Sequence, residues 1–374
     1  MREVSSSDPE PNQTSAVTIR LPLPLSRPLF SWVILAINAI VWLLMTFSGG
    51  STSTEVLIRF GAKVSWLVAT GEYWRLFTAN FLHIGLMHLA FNSYALYSLG
   101  PQVEGLFGRD RFVAIYLLSG LAGCVSSYAL SESVSAGASG AIFGLVGALA
   151  VYLARHRDLL GRSGQRRLTN VVVVILYNLV LSFTVPGIDV LGHLGGLGGG
   201  LVVGWLLCPH YEVVADSGGT ARVVDRNSLQ RQTWRLFLVG VALVGATGLG
   251  TLRWRDSALI HLMRGVTLLE EKAFAPARIE FQQAVAKEPE NAQAFFYLGV
   301  AHQASEEYAE ATIAYERALG IEPDLVEARW NLALVYVELY RYQQASEQFR
   351  AYLDLAPDDE RAAQVRAWLA QLER

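Results

Sequence analysis

The chain has 374 residues, 52% of them hydrophobic and only 17% charged, with a mean hydropathy of +0.31, which excludes a single ordinary soluble domain as a description of the whole. The formal net charge of −3 conceals two unlike halves: long apolar runs fill residues 29 to about 252, whereas residues 256–374 are rich in Glu, Arg, Ala and Gln. Two cysteines, Cys124 and Cys208, lie inside apolar runs, too few for a disulfide framework or a cysteine-ligated zinc site.

Residues 1–28 are polar and then proline-rich, and read as a disordered cytoplasmic tail leading into a retained helix, because no apolar run comes early enough for a signal peptide. Crossing the hydrocarbon takes about 17–25 apolar residues. Candidate spans are 29–47, 78–99, 112–130, 139–154, 168–185, 190–207 and 236–252, with 209–235 a cytoplasmic linker. Arginines crowd the tail and the connections after spans two, four and six, while the connections after spans three and five have none. This asymmetry places the N-terminus inside. Seven crossings then place residues 253–374 outside, with Arg253 and Arg255 weakly opposing that side.

Unpartnered polar groups in hydrocarbon cost several kcal/mol, so those that remain mark function. They fall in three clusters: His83, His88 and Asn92 on span two, Gly137-Ala138-Ser139-Gly140 at the start of span four, and Gly192-His193-Leu194-Gly195-Gly196 on span six. The three spans run the same way, so the clusters share one depth in the outer part of the membrane. Gly140, Gly144 and Ala148 recur every four residues, as do Gly192, Gly196, Gly200 and Gly204. Small residues at that spacing let two helices approach closely, within reach of a serine–histidine hydrogen bond.

A serine hydroxyl needs a neighbouring base to become a nucleophile, and His193 suits proton transfer near neutral pH. The tetrahedral intermediate needs donors. His88 and Asn92, four apart on one helix face, and the Ser139 backbone N–H at a helix start can supply them. Phe143, one turn beyond Ser139, can stack on the imidazole. Asp189 is four residues before His193 but falls in a loop, so a Ser139–His193 dyad is the better reading than a triad. No carboxylate joins the three histidines, and neither a metal nor another cofactor is expected.

These elements, together with Tyr73-Trp74-Arg75 and Glu104-Gly105-Leu106-Phe107-Gly108, strongly resemble the rhomboid family of intramembrane serine proteases, in order and spacing over residues 29–208. The resemblance implies a six-helix core with Ser139 as nucleophile, His193 as general base, and His88 and Asn92 assisting the oxyanion. It implies a structural or cavity-lining role for His83, an interfacial loop bearing Trp74 and Arg75, and a structural position for Glu104. Phe143 departs from the tyrosine of many bacterial members, which keeps the stacking and loses a hydroxyl. The implied substrates are single-pass membrane proteins.

Beyond span seven, Pro289, Pro323 and Pro357 are spaced by 34 residues, as are Ala277, Ala311 and Ala345, and Phe281, Tyr315 and Phe349; Gly265 and Gly299 keep the period, with Ala333 third. The pattern resembles the tetratricopeptide repeat (TPR), predicting three helical hairpins from about 258 to 359 and a capping helix over 360–374. Such arrays usually bind peptides on a concave face.

The whole therefore reads as all-α: a polytopic membrane bundle with a seventh span, followed by an α-solenoid over 256–374. The predicted location is the cell membrane. Expected partners are the bilayer, transmembrane substrates and a peptide or protein ligand of the repeats; no nucleic acid is expected. A catalytically inactive rhomboid-like binder or scaffold is the alternative, and the intact Ser139 and His193 argue against it.

Overall fold

The computed structural model describes residues 25–215 and 221–372. Most of the predicted tail and part of the predicted linker lie outside those residues. Residues 25–28, within that tail, are held by the bundle: the Ser26 N–H donates to the Gly105 carbonyl and Arg109 donates to the Arg27 carbonyl.

The first helix, α1 (Phe30–Phe47), is apolar throughout. Its free N-terminal N–H groups would be stranded without acceptors. The buried Glu104 carboxylate takes the Leu29, Phe30 and Ser31 N–H groups and the Ser31 hydroxyl at 2.6–2.9 Å. Three short helices follow, α2 (Thr54–Phe60), α3 (Ser65–Ala69) and α4 (Arg75–Thr78), then a 3-10 turn at Ala79–Phe81. Gly61, at φ +96°, ends α2 in the left-handed region that favours glycine.

Helix α5 (Gly85–Phe107) begins seven residues later than the predicted second span. Leu82 is extended and Gly85 has φ +75°, which breaks the helix that hydropathy alone would continue. His83 consequently precedes α5 instead of lying on it. The same helix runs past the predicted end, through Pro101, to Gly108 at φ +87°.

The remaining bundle is α6 (Arg109–Leu130), α7 (Ser139–Arg155), α8 (Arg157–Thr184, kinked at Gly161), α9 (Val190–Leu207) and α10 (Leu229–Arg255). Of these helices α1, α6, α8, α9 and α10 are long and apolar enough to cross a membrane, while α7 is a shorter apolar helix of 17 residues. Buried Leu96, Phe107, Phe112, Tyr116, Leu145 and Tyr152 fill the space between α5, α6 and α7.

Two strands not foreseen in the sequence, β1 (Tyr211–Ala215) and β2 (Ala221–Asp225), form an antiparallel hairpin between α9 and α10. Its end is anchored by an ion pair from Arg111 to Asp225. Asn227 also donates to the Leu206 and Cys208 carbonyls at 3.0 and 2.7 Å, satisfying acceptors left open where α9 stops. The helix after it starts at Leu229, not 236: nothing in 229–235 breaks a helix, so α10 continues beyond its apolar stretch.

Helix α10 ends beside the end of α6. The Trp254 indole donates to the Tyr128 carbonyl at 2.7 Å, Arg253 to the Ala129 carbonyl at 3.0 Å, and the Tyr128 and Thr251 hydroxyls bond at 2.9 Å. Arg253, which opposed an outer placement by charge, thus serves the orphan carbonyls of a neighbouring helix end. Both helices finish at the end of the bundle where α7 begins.

Helices α11 (Ala258–Glu270) and α12 (Phe274–Lys287), α13 (Ala292–Ala304) and α14 (Tyr308–Ile321), and α15 (Val326–Glu338) and α16 (Tyr342–Leu355) form three hairpins, with α17 (Ala362–Leu372) after them. Lys272, Glu306 and Tyr340 turn each hairpin with φ of 59–60°, so the backbone repeats at the same 34-residue period as the sequence. The three aromatics Phe281, Tyr315 and Phe349 and the three alanines Ala277, Ala311 and Ala345 are fully buried.

Candidate functional site

Ser139 is the first residue of α7 and His193 lies in the first turn of α9. What holds these two helix starts together is the absence of side chains between them. A Cβ added to Gly140 would sit 3.2 Å from the Gly192 carbonyl oxygen, and one added to Gly123 of α6 would sit 2.6 Å from that same atom. Added to Gly196 or Gly200, it would fall inside contact distance of the Gly140 or Gly144 backbone. Three helices therefore meet backbone to backbone around Gly192.

The Phe143 ring stacks on the His193 imidazole with centroids 4.4 Å apart and planes 21° from parallel. His193 is 9% exposed, and its Nδ1 lies 2.8 Å from the Ser182 hydroxyl of α8. Ser182 was not singled out in the sequence. Its only signal there is a polar residue within an apolar span.

Asp189 is committed elsewhere. It caps α9 by accepting the Gly192 N–H at 2.8 Å and accepts the Ser135 hydroxyl. Among the described residues, the side-chain hydrogen-bond partner of His193 is thus a serine rather than the carboxylate four residues upstream.

His88 and Asn92 lie one turn apart on α5. The Ile84 N–H donates to His88 Nδ1 at 3.3 Å. That bond requires a lone pair on Nδ1, so the neutral ring carries its proton on Nε2 and donates from there. A Cβ added to Gly137, which has φ +142°, would lie 2.9 Å from His88 Nε2 and 3.7 Å from the Ser139 hydroxyl. Glycine at 137 leaves that space between donor and hydroxyl open. Asn92 is buried and spends one amide hydrogen on the His88 carbonyl at 3.1 Å, the other having no partner among the described residues. His83 is fully buried, its ring 5.3 Å from that of His88.

The loop that delivers Ser139 is clamped from outside the spans. Lys63 is buried and donates to the Ser133 carbonyl at 2.6 Å, and its backbone bridges to Ser135. Burial pushes its ammonium down to about 8. Arg75, also buried, donates to the Ile58 carbonyl at 2.6 Å and pairs with Glu72. Its guanidinium sits 4.6 Å over the ring of Trp74, which is 49% exposed.

Two family models match the chain: Rhomboid domain over residues 70–210 and Tetratricopeptide repeat over 298–370. Rhomboid protease GluP of Bacillus subtilis (strain 168) is 46% identical over 174 residues, covering 46% of this chain but 34% of GluP. The match therefore spans about a third of that relative's length. The rhomboid relative YdcA of the same organism is 33% identical over 175 residues, covering 46% of this chain and 85% of YdcA. Rhomboid-like protease 1 of Toxoplasma gondii is 35% identical over 191 residues, covering 46% of this chain and 63% of that protein. Among solved structures, the Arabidopsis OM64 TPR domain aligns at 20% identity and a TM-score of 0.30, covering 31% of this chain and 96% of that one. An all-α, multi-pass bundle with this glycine-lined site, matched along most of YdcA's length, belongs to the rhomboid family.

Proposed function

We propose that this chain is an intramembrane serine endopeptidase working by a Ser139–His193 dyad on single-pass membrane proteins. The Ser139 hydroxyl attacks the scissile carbonyl carbon while His193 Nε2 takes its proton. The carbonyl oxygen becomes an oxyanion that accepts from the Ser139 backbone N–H, His88 Nε2–H and the second Asn92 amide hydrogen. His193 then returns the proton to the leaving amine as the C–N bond breaks. Water, deprotonated by the same imidazole, attacks the acyl-serine, and Ser139 leaves with the proton.

One observation carries this reading: Phe143 stacks on His193 one turn from Ser139, across helices brought close by facing glycines. A buried histidine ring held face-on by Phe143 one turn from a serine, with a second histidine oriented as a donor across Gly137 from that serine, suits acyl transfer. Packing alone does not call for it. A substrate helix has its carbonyls paired and must unwind at its end before attack.

The repeats begin at the end of the bundle that carries Ser139, because α10 and α6 finish there together. We assign that end to the outer face of the cell membrane, with the N-terminus cytoplasmic, and assign the repeats to recruiting a substrate or partner protein. The test is cleavage of a transmembrane reporter by the full chain in lipid vesicles. Ser139→Ala is expected to abolish product while the reporter still binds. Cleavage by Ser139→Ala at the parent rate would overturn the dyad.

A further inference from the structure

Helix α8 is the bundle's loosest element beside the site: Gly164 and Ser182 are its buried residues among those described. Ser182 makes two contacts there. Its hydroxyl lies 2.7 Å from the Asn178 carbonyl one turn earlier and 2.8 Å from His193 Nδ1. A carbonyl oxygen can only accept, so at 2.7 Å the hydroxyl's single proton points to Asn178. Were that proton turned to the imidazole, two oxygen lone pairs would face each other at that distance.

The Ser182 oxygen must therefore accept from His193, which requires the proton of the neutral ring to be on Nδ1. Nε2 is then left with its lone pair, the form a general base needs. We propose that Ser182 is a positioning residue that fixes the tautomer and ring angle of His193. It does without charge what an aspartate does in a Ser-His-Asp triad, and it makes the base depend on the placement of α8. This inference rests on His193 serving as base. The two site histidines then carry opposite tautomers, each set by one bond at Nδ1: Ile84 N–H makes His88 a donor, and Ser182 makes His193 an acceptor.

The experiment uses the full chain in lipid vesicles with Ser182→Val and Ser182→Thr, side chains of the same shape that differ by the hydroxyl. Threonine can donate to the carbonyl four residues back as serine does. Reporter cleavage gives kcat and KM, and 15N spectra of labelled histidine give the tautomer, with His193 assigned by its loss in His193→Gln. Ser182→Val is expected to lower kcat about tenfold, the size of one hydrogen bond to a neutral group, with KM within about twofold. Its spectrum should show both tautomers of His193, whereas the parent shows Nδ1–H alone. Ser182→Thr is expected to restore kcat and the single tautomer. Equal impairment by valine and threonine, or parent-like kcat and tautomer in Ser182→Val, would overturn the proposal. If the parent chain cleaves nothing, the dyad reading fails, and an Nε2–H or mixed His193 in the parent spectrum would then overturn the Ser182 assignment separately.

Discussion

Both halves of this molecule use glycine to bring helices together, but against different partners. In the bundle, Gly196 and Gly200 of α9 lie on the backbone of Gly140 and Gly144. In the repeats, Gly265 and Gly299 lie against the rings of Phe281 and Tyr315. A ring can tilt to admit a methyl group, while a helix backbone can yield only by moving the whole helix. The bundle therefore keeps little tolerance where the starts of α7 and α9 meet, and the solenoid keeps some. The third repeat already demonstrates this, with Ala333 where the others have glycine and with Phe349 still fully buried.

Breaking this contrast at its strongest point gives the largest expected effect. Gly196→Ala pushes α9 away from α7 with no rotamer to relieve it. A displacement near 1 Å at a reacting pair costs on the order of 100-fold, so cleavage of the transmembrane reporter should fall by at least about that much. Gly198→Ala is the control, because nothing lies within 4 Å of a Cβ there. It should leave the rate within about twofold, alanine being favoured over glycine in a helix by about 1 kcal/mol. Equal loss in both variants would sink the backbone-contact explanation.

Gly299→Ala sharpens the comparison from the other side. The new methyl would sit 2.6 Å from Tyr315 Cε1, and overpacking costs about 1–3 kcal/mol. The helix gains back about 1 kcal/mol, so the expected net loss is about 0–2 kcal/mol. Hydrogen exchange across residues 292–321 in the full chain reads this. Collapse of protection throughout all three hairpins would show that the repeats are as intolerant as the bundle.

The legibility of the chain follows the same division. Glycine ladders and a 34-residue period are regular, so spacing pointed to the α7–α9 contact, and the resemblance that the period carries implied the three hairpins. Ser139, His193, His88 and Asn92 stand out in the sequence because each is costly in an apolar run, and Phe143 because it lies one turn beyond Ser139. The start of α5 does not, since it depends on a positive φ at Gly85 that hydropathy does not register. The hairpin of β1 and β2 was hidden because its anchor, Asp225 to Arg111, spans 114 residues. Ser182 was invisible for a subtler reason. A serine in a membrane helix can satisfy itself on the carbonyl one turn back, so its presence does not announce a second partner across the turn to α9.

The smallest effect expected separates the halves by charge. In the last hairpin and cap, Asp359 accepts from Arg361 at 2.9 Å, and both side chains are partly buried, 23% and 31% exposed. The guanidinium holds the Asp359 carboxyl well below the usual carboxylate range. The unfolded chain then binds more protons than the folded one below about pH 4, the ordinary aspartate value. The pair's contribution is complete above that pH and is lost as pH falls toward the depressed folded value. Partly exposed pairs contribute little, so Asp359→Asn should destabilise residues 326–372 only slightly at pH 7 and flatten their acid dependence as pH falls below about 4. Hydrogen exchange in the full chain measures both. Between α7 and α9 the glycine contacts are backbone against backbone and carry no charge; the titratable groups there are His193, stacked on Phe143, and Asp189 at the start of α9. An acid dependence of the last hairpin left unchanged by Asp359→Asn would overturn this role for the pair.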